Sequence, residues 1–121
     1  MKNSASVIKL FGIKNCDAVK KARAWLDHHG IAYEFVDFRK TPPSADQIAR
    51  WCHALGVNVV FNRRGTTWKK LSESEQSGTD SESGAIAIMA THPSAIKRPI
   101  IETGSNYLIG FDAAAYQSRF L

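Results

Sequence analysis

Cysteine is scarce in this chain. Cys16 and Cys52 are the only two among 121 residues, too few for a disulfide scaffold or a cysteine-rich structural zinc site. No second cysteine follows Cys16 at Cys-x-x-Cys spacing, because Val19 holds that position, so a local disulfide is excluded. The four histidines, His28, His29, His53 and His92, show no ligand spacing, and no metal is expected. No apolar run approaches the roughly 20 residues of a membrane span. Residues 1–6 carry no apolar signal region, so a cytoplasmic protein without a membrane partner is expected, in a compartment that keeps thiols reduced. Acidic side chains are also in deficit, 11 against 16 lysines and arginines, for a net charge of +5. That balance suits nucleic acid or an anionic small molecule. The basic clusters Lys20-Lys21-Ala22-Arg23, Arg63-Arg64 and Lys69-Lys70 are short, with no aromatic RNA motif beside them. Each reads as solvated surface, and a nucleic-acid partner is not expected. No long exposed apolar segment argues for an obligate oligomer, so a monomer is expected.

What is present suits one domain with a core that needs no covalent or metal staple. Residues 7–12 form a short apolar run ended by Gly12, the pattern of a buried strand. In residues 17–26, Ala18, Ala22, Trp25 and Leu26 recur at helical spacing. Gly30 is a helix stop. The aromatic and β-branched run 31–38 predicts a second strand, parallel to the first across a βαβ unit. Thr41-Pro42-Pro43-Ser44 is a turn, with Ser44 and Gln47 placed for a capping box. Ile48, Trp51, Cys52 and Leu55 make one apolar stripe of a helix over about 45–55, which places Cys52 in a core. Residues 57–65 read as irregular and 66–71 as a short helical turn. The polar stretch 72–84 holds two helix-start signatures, Ser72-x-x-Glu75 and Thr79-x-x-Glu82, joined by a turn near Gly78. A helix through 85–90, a hairpin over 100–109 turning at Gly104-Ser105-Asn106, and a last helix over 113–120 capped by Asp112 complete the chain. The order β-α-β, helical block, β-hairpin, α predicts an α/β fold. It is a thioredoxin-like four-stranded mixed sheet with flanking helices, over about 7–40 and 94–121, and a helical insertion over about 44–93.

Cys16 stands where the first strand gives way to the first helix. Unpaired N–H groups and the positive end of a helix dipole favour an anion there, so the thiol should ionise readily and become a nucleophile. The same position also suits a small buried residue in a tight turn. Basic and polar candidates that could converge on it are Lys14, Asn15, Arg98 and one of Arg63 or Arg64. A thiolate needs nearby positive charge, and arginine holds an oxyanion with two forked donors.

The motifs Gly12-Ile-Lys-Asn-Cys16-Asp17, Lys20-Lys21-Ala-Arg-Ala-Trp-Leu26, Asn62-Arg-Arg-Gly-Thr-Thr-Trp68 and His92-Pro-x-x-Ile-Lys-Arg-Pro-Ile100 resemble the ArsC superfamily, and within it the small YffB-type proteins. The resemblance implies that Cys16 is the nucleophile that attacks arsenate in true arsenate reductases. It implies that Arg98 stabilises the anion and that Pro99 is cis, presenting backbone to the nucleophile. It also implies a second arginine, Arg64, with Arg63 one position away as the alternative. Two departures weigh against arsenate as the natural substrate. The stretch 108–112 lacks the third arginine of those enzymes, and Gly12 stands where they carry histidine. The expected function is a glutathione-dependent thiol oxidoreductase. Its catalytic residues would be Cys16, Arg64 and Arg98, with Lys14, Asn15, Arg63 and Pro99 binding substrate. Glutathione would be co-substrate, and no tightly bound cofactor is expected. The alternative is a non-catalytic regulator that binds RNA polymerase, as the resemblance extends to Spx-type proteins.

Overall fold

A computed structural model describes residues 7–121. Contacts divide the chain into two units, one running to Thr41 and resuming over Arg98–Leu121, the other Pro42–Lys97.

The first unit is built on β1 (Ile8–Gly12), α1 (Asp17–His28) and β2 (Glu34–Asp37), completed by β3 (Ile100–Thr103), β4 (Asn106–Ile109) and α7 (Ala113–Phe120). The sheet order is β2-β1-β3-β4, with β1 parallel to β2 and antiparallel to β3. This is a thioredoxin-like sheet, mixed because a βαβ crossover builds one half and a hairpin the other. The hairpin closes Thr103 against Asn106. Gly104, at φ +63°, supplies the positive φ that a two-residue loop needs. Leu10 and Ile101 pair across β1 and β3. They bury one face of the sheet together with Val19, Ala22 and Leu26 of α1 and Tyr116 of α7. The Tyr116 hydroxyl donates to the Gly110 carbonyl at 2.6 Å, which satisfies the one polar atom this ring carries inside. At the end of α1, Gly30 at φ +67° turns the chain, and the Ile31 N–H returns to the Leu26 carbonyl at 2.9 Å.

The second unit is helical: α2 (Ala45–Leu55), α3 (Val57–Val60), α4 (Thr66–Lys70), α5 (Glu73–Gly78), α6 (Glu82–Thr91) and a 3-10 turn over Pro93–Ala95. The stripe Ile48, Trp51 and Cys52 is buried, and α2 packs on α6, whose Ala85 and Met89 are buried too. Two local expectations fail. The stretch read as irregular opens with α3, a single turn whose three valines carried no helical signal. The signature beginning at Thr79 starts no helix: Thr79 ends α5 with a near-helical backbone (φ −82°, ψ 2°). Ser81, which is extended, caps α6 by accepting the Gly84 N–H at 3.0 Å. An N-cap needs extended backbone so that its oxygen can reach the N–H groups ahead. Ser72 and Glu75 do form the reciprocal capping box, and Ser44 accepts the Gln47 N–H at 3.1 Å.

Candidate active site

Cys16 is the N-cap residue of α1, with extended backbone (φ −108°, ψ 126°), and its carbonyl accepts the Lys20 N–H at 2.9 Å. The side chain is half-buried against the Leu10–Val19–Tyr116 core. The side chain makes no capping hydrogen bond. Burial pushes its pKa up. The Val19 N–H, then Arg98 through a hydrogen bond and its charge, then the Ala18 N–H push it down, and together they hold it below the ordinary 9.0. Ala18 and Val19 are the second and third helical residues, whose N–H groups an N-cap side chain addresses.

Strand pairing delivers the arginine. Phe11 at the end of β1 lies opposite Ile100 at the start of β3. Arg98, two residues before Ile100, therefore lies at the end of the paired strands from which the chain leaves β1 for Cys16. The Arg98–Pro99 peptide bond is cis, Pro99 is buried, and its carbonyl accepts the Gly110 N–H at 2.8 Å. Lys14 and Asn15 lie in the exposed turn between β1 and α1. The charge that lowers the thiol pKa is that of Arg98.

Arg63 and Arg64 belong to the second unit and differ sharply. The Arg63 guanidinium donates to Asn58 Oδ1 at 2.8 Å and to the Thr79 carbonyl at 3.3 Å. It also lies 4.7 Å from the Phe61 ring centroid and 5.8 Å from that of Trp68. Arg63 thus ties its own unit together. Arg64 is exposed, and its backbone N–H donates to Asn62 Oδ1 at 3.0 Å. Both line a cavity of about 490 Å³ with Asn58, Asn62 and Lys97, among others. That cavity is lined by three cations and no carboxylate, an environment for anions.

Sequence reasoning invoked the free N–H groups at the start of α1 without naming Ala18 and Val19 as the residues that supply them. Counting two and three residues on from an N-cap at Cys16 would have found them. It also missed why position 12 is glycine. A Cβ there would stand 2.6 Å from Val19 Cγ2, so a histidine in that place would collide with the helix. Cys52 is 3% exposed, and burial, with the charge of Glu82, pushes its thiol up to about 11. Among the described residues no group of histidines, cysteines and carboxylates could hold a metal, and no helix is long and apolar enough to cross a membrane.

The ArsC family profile matches residues 11–119. The chain belongs to the ArsC family. The solved YffB protein is 42% identical, with a TM-score of 0.91 over 95% of this chain and 100% of that one. An arsenate reductase-related ArsC protein from Brucella melitensis is 38% identical, with a TM-score of 0.73 over 98% of each chain. A global transcriptional regulator Spx from Streptococcus mutans is 27% identical over 108 residues, covering 88% of this chain and 77% of the regulator. Within this ArsC protein, Cys16 and Arg98 fall inside the matched span, as do both members of the Arg63-Arg64 pair.

Proposed function

We propose that this ArsC protein is a glutathione-dependent thiol reductase with Cys16 as its single nucleophile. The observation that carries the reading is the setting of Cys16, a half-buried thiol at a helix N-terminus beside Arg98, held below its ordinary pKa. A thiolate so placed attacks a glutathione mixed disulfide. Its sulfur bonds to the glutathionyl sulfur, the old S–S bond breaks, and the substrate leaves as a thiolate that takes a proton from water. A second glutathione thiolate then attacks the Cys16–glutathione disulfide. Glutathione disulfide departs and the Cys16 thiolate is restored. Cys52 is buried with its thiol raised, so the resolving thiol comes from solution. Arg98 stabilises the leaving and returning thiolates. Lys14, Asn15 and the backbone at Pro99 flank the peptide-like part of glutathione. The protein acts in the cytoplasm, as a monomer.

Thiol transfer from a glutathionylated peptide tests this. Cys16→Ser should abolish transfer and Cys52→Ala should leave it intact. Full activity in Cys16→Ser refutes the reading.

The similarity to Spx favours one alternative, a regulator that uses the same fold to bind RNA polymerase. Such a protein has no need of a stabilised thiolate. Binding to polymerase that survives Cys16→Ser, with no thiol transfer by the parent protein, would establish it.

A further inference from the structure

We propose that Gly12 and Val19 are a positioning pair. The bare backbone of Gly12 leaves room for the Val19 side chain, and that room lets the first turn of α1 sit where its amides meet the sulfur of Cys16. The proposal rests on the reading of Cys16 as a nucleophile, but it is tested through ionisation of the thiol and not through glutathione.

Three observations carry it. First, there is no room at position 12. An added Cβ would lie 2.6 Å from Val19 Cγ2 and 3.5 Å from Cγ1, and the first distance is about 1 Å inside ordinary contact between carbon atoms. Secondly, the strand side cannot yield. Gly12 pairs with Asp37 of β2, and its carbonyl accepts the Phe38 N–H at 2.9 Å. Both Gly12 and Phe38 are buried. Thirdly, Val19 has little freedom to swing aside. It is 0% exposed within the core of this unit, and a β-branched side chain in a helix is stiff about χ1. A side chain at position 12 therefore displaces the first turn of α1. That turn carries the Val19 and Ala18 N–H groups facing Cys16. Glycine is needed here for space alone, since its φ is not positive.

Gly12 and the Val19 side chain touch no reacting atom in this account, and their effect passes through the amides. The pair predicts a compensating double substitution. Thiolate absorbance is titrated in a Cys52→Ala background for Gly12→Ala, Val19→Ala and the two combined. Gly12→Ala should move the Cys16 midpoint upward, leaving about threefold fewer thiolates at a pH below it, the size expected when contacts at a helix N-terminus loosen. Val19→Ala keeps the Val19 amide and is the reference against which the double variant is read. The double variant should recover the parent midpoint, because the truncated side chain makes room for the new Cβ. An unmoved midpoint in Gly12→Ala, even with a lowered melting temperature, overturns the proposal. So does a double variant that stays shifted. If Gly12→Ala does not fold, the double variant decides. Folding with the parent midpoint supports the pair, and failure to fold or a free-thiol midpoint refutes it.

Discussion

The two cysteines should differ in reactivity by an amount the structure sets. Cys52 ionises at about 11, so at pH 7 about 1 in 10,000 of its thiols is a thiolate. A thiol at the ordinary 9.0 would be about 1 in 100 ionised at that pH, and Cys16 lies below 9.0. Ionisation alone then favours Cys16 more than about 100-fold. The more basic thiolate is the better nucleophile, and over two pKa units this returns a factor of about six to ten to Cys52. A preference of at least about tenfold for Cys16 survives before access is considered. Access widens it, because Cys52 is 3% exposed and must wait for local opening. The assay is the reaction of the native protein with a chromogenic disulfide at pH 7, with the fast site located by peptide mass mapping. One fast and one slow equivalent are expected, merging in denaturant. Arg98→Ala should slow the fast phase several-fold, the loss of a partly screened charge and its hydrogen bond. It should leave the slow phase unchanged. Equal native rates, or faster labelling of Cys52, would refute the electrostatic argument for Cys16.

Cys52 also links folding to alkaline pH. Its folded midpoint is raised, mainly by burial and further by Glu82, so its contribution to stability is complete below the unfolded value near 9.0. That contribution is lost as pH climbs towards about 11, a loss on the order of 2–3 kcal/mol. Denaturant melts between pH 8 and roughly 11 should show this decline and should show it flattened in Cys52→Ala. Arg63→Met should destabilise the protein by about 1–3 kcal/mol, because the Thr79 carbonyl and Asn58 lose their donor. Arg64→Met should leave the melting temperature within a degree or so of the parent, since that side chain is exposed. The opposite pattern would reverse the assignment of the two arginines. Gly84→Ala should lower the melting temperature markedly, since its Cβ would sit 1.8 Å from the Gly78 carbonyl oxygen. That oxygen is backbone at the end of α5 and cannot swing aside, so the cost should be about 1–3 kcal/mol or more.

Much of the first unit was legible from residues 7–38. A strand-length apolar run, a helical-period run and a second β-rich run imply a parallel βαβ unit, because strand period, helix period and crossover handedness leave few alternatives. The hairpin was legible in Gly104-Ser105-Asn106, although Asn106 already belongs to β4, and the burial of Cys52 in the stripe it shares with Ile48 and Trp51. The helical unit was harder. Ser72-x-x-Glu75 and Thr79-x-x-Glu82 carry the same local signature, yet only the first forms a box. The difference lies in the backbone at Thr79, which α5 has already claimed.

By itself, the chain order put a cysteine at the start of a helix, and that position carries its own electrostatic consequence through the free amides of the first turn. Only the tertiary structure could decide which cation acts on Cys16. Arg98 lies 82 residues away in sequence and is brought close by the pairing of Phe11 with Ile100. Only the tertiary structure could separate Arg63 from Arg64, neighbours of identical chemistry, because one guanidinium finds Asn58, Thr79 and Phe61 and the other stays exposed. The glycine at position 12 reads in the sequence as the end of a strand. Its reason is a valine seven residues on, across a contact that no periodicity reports.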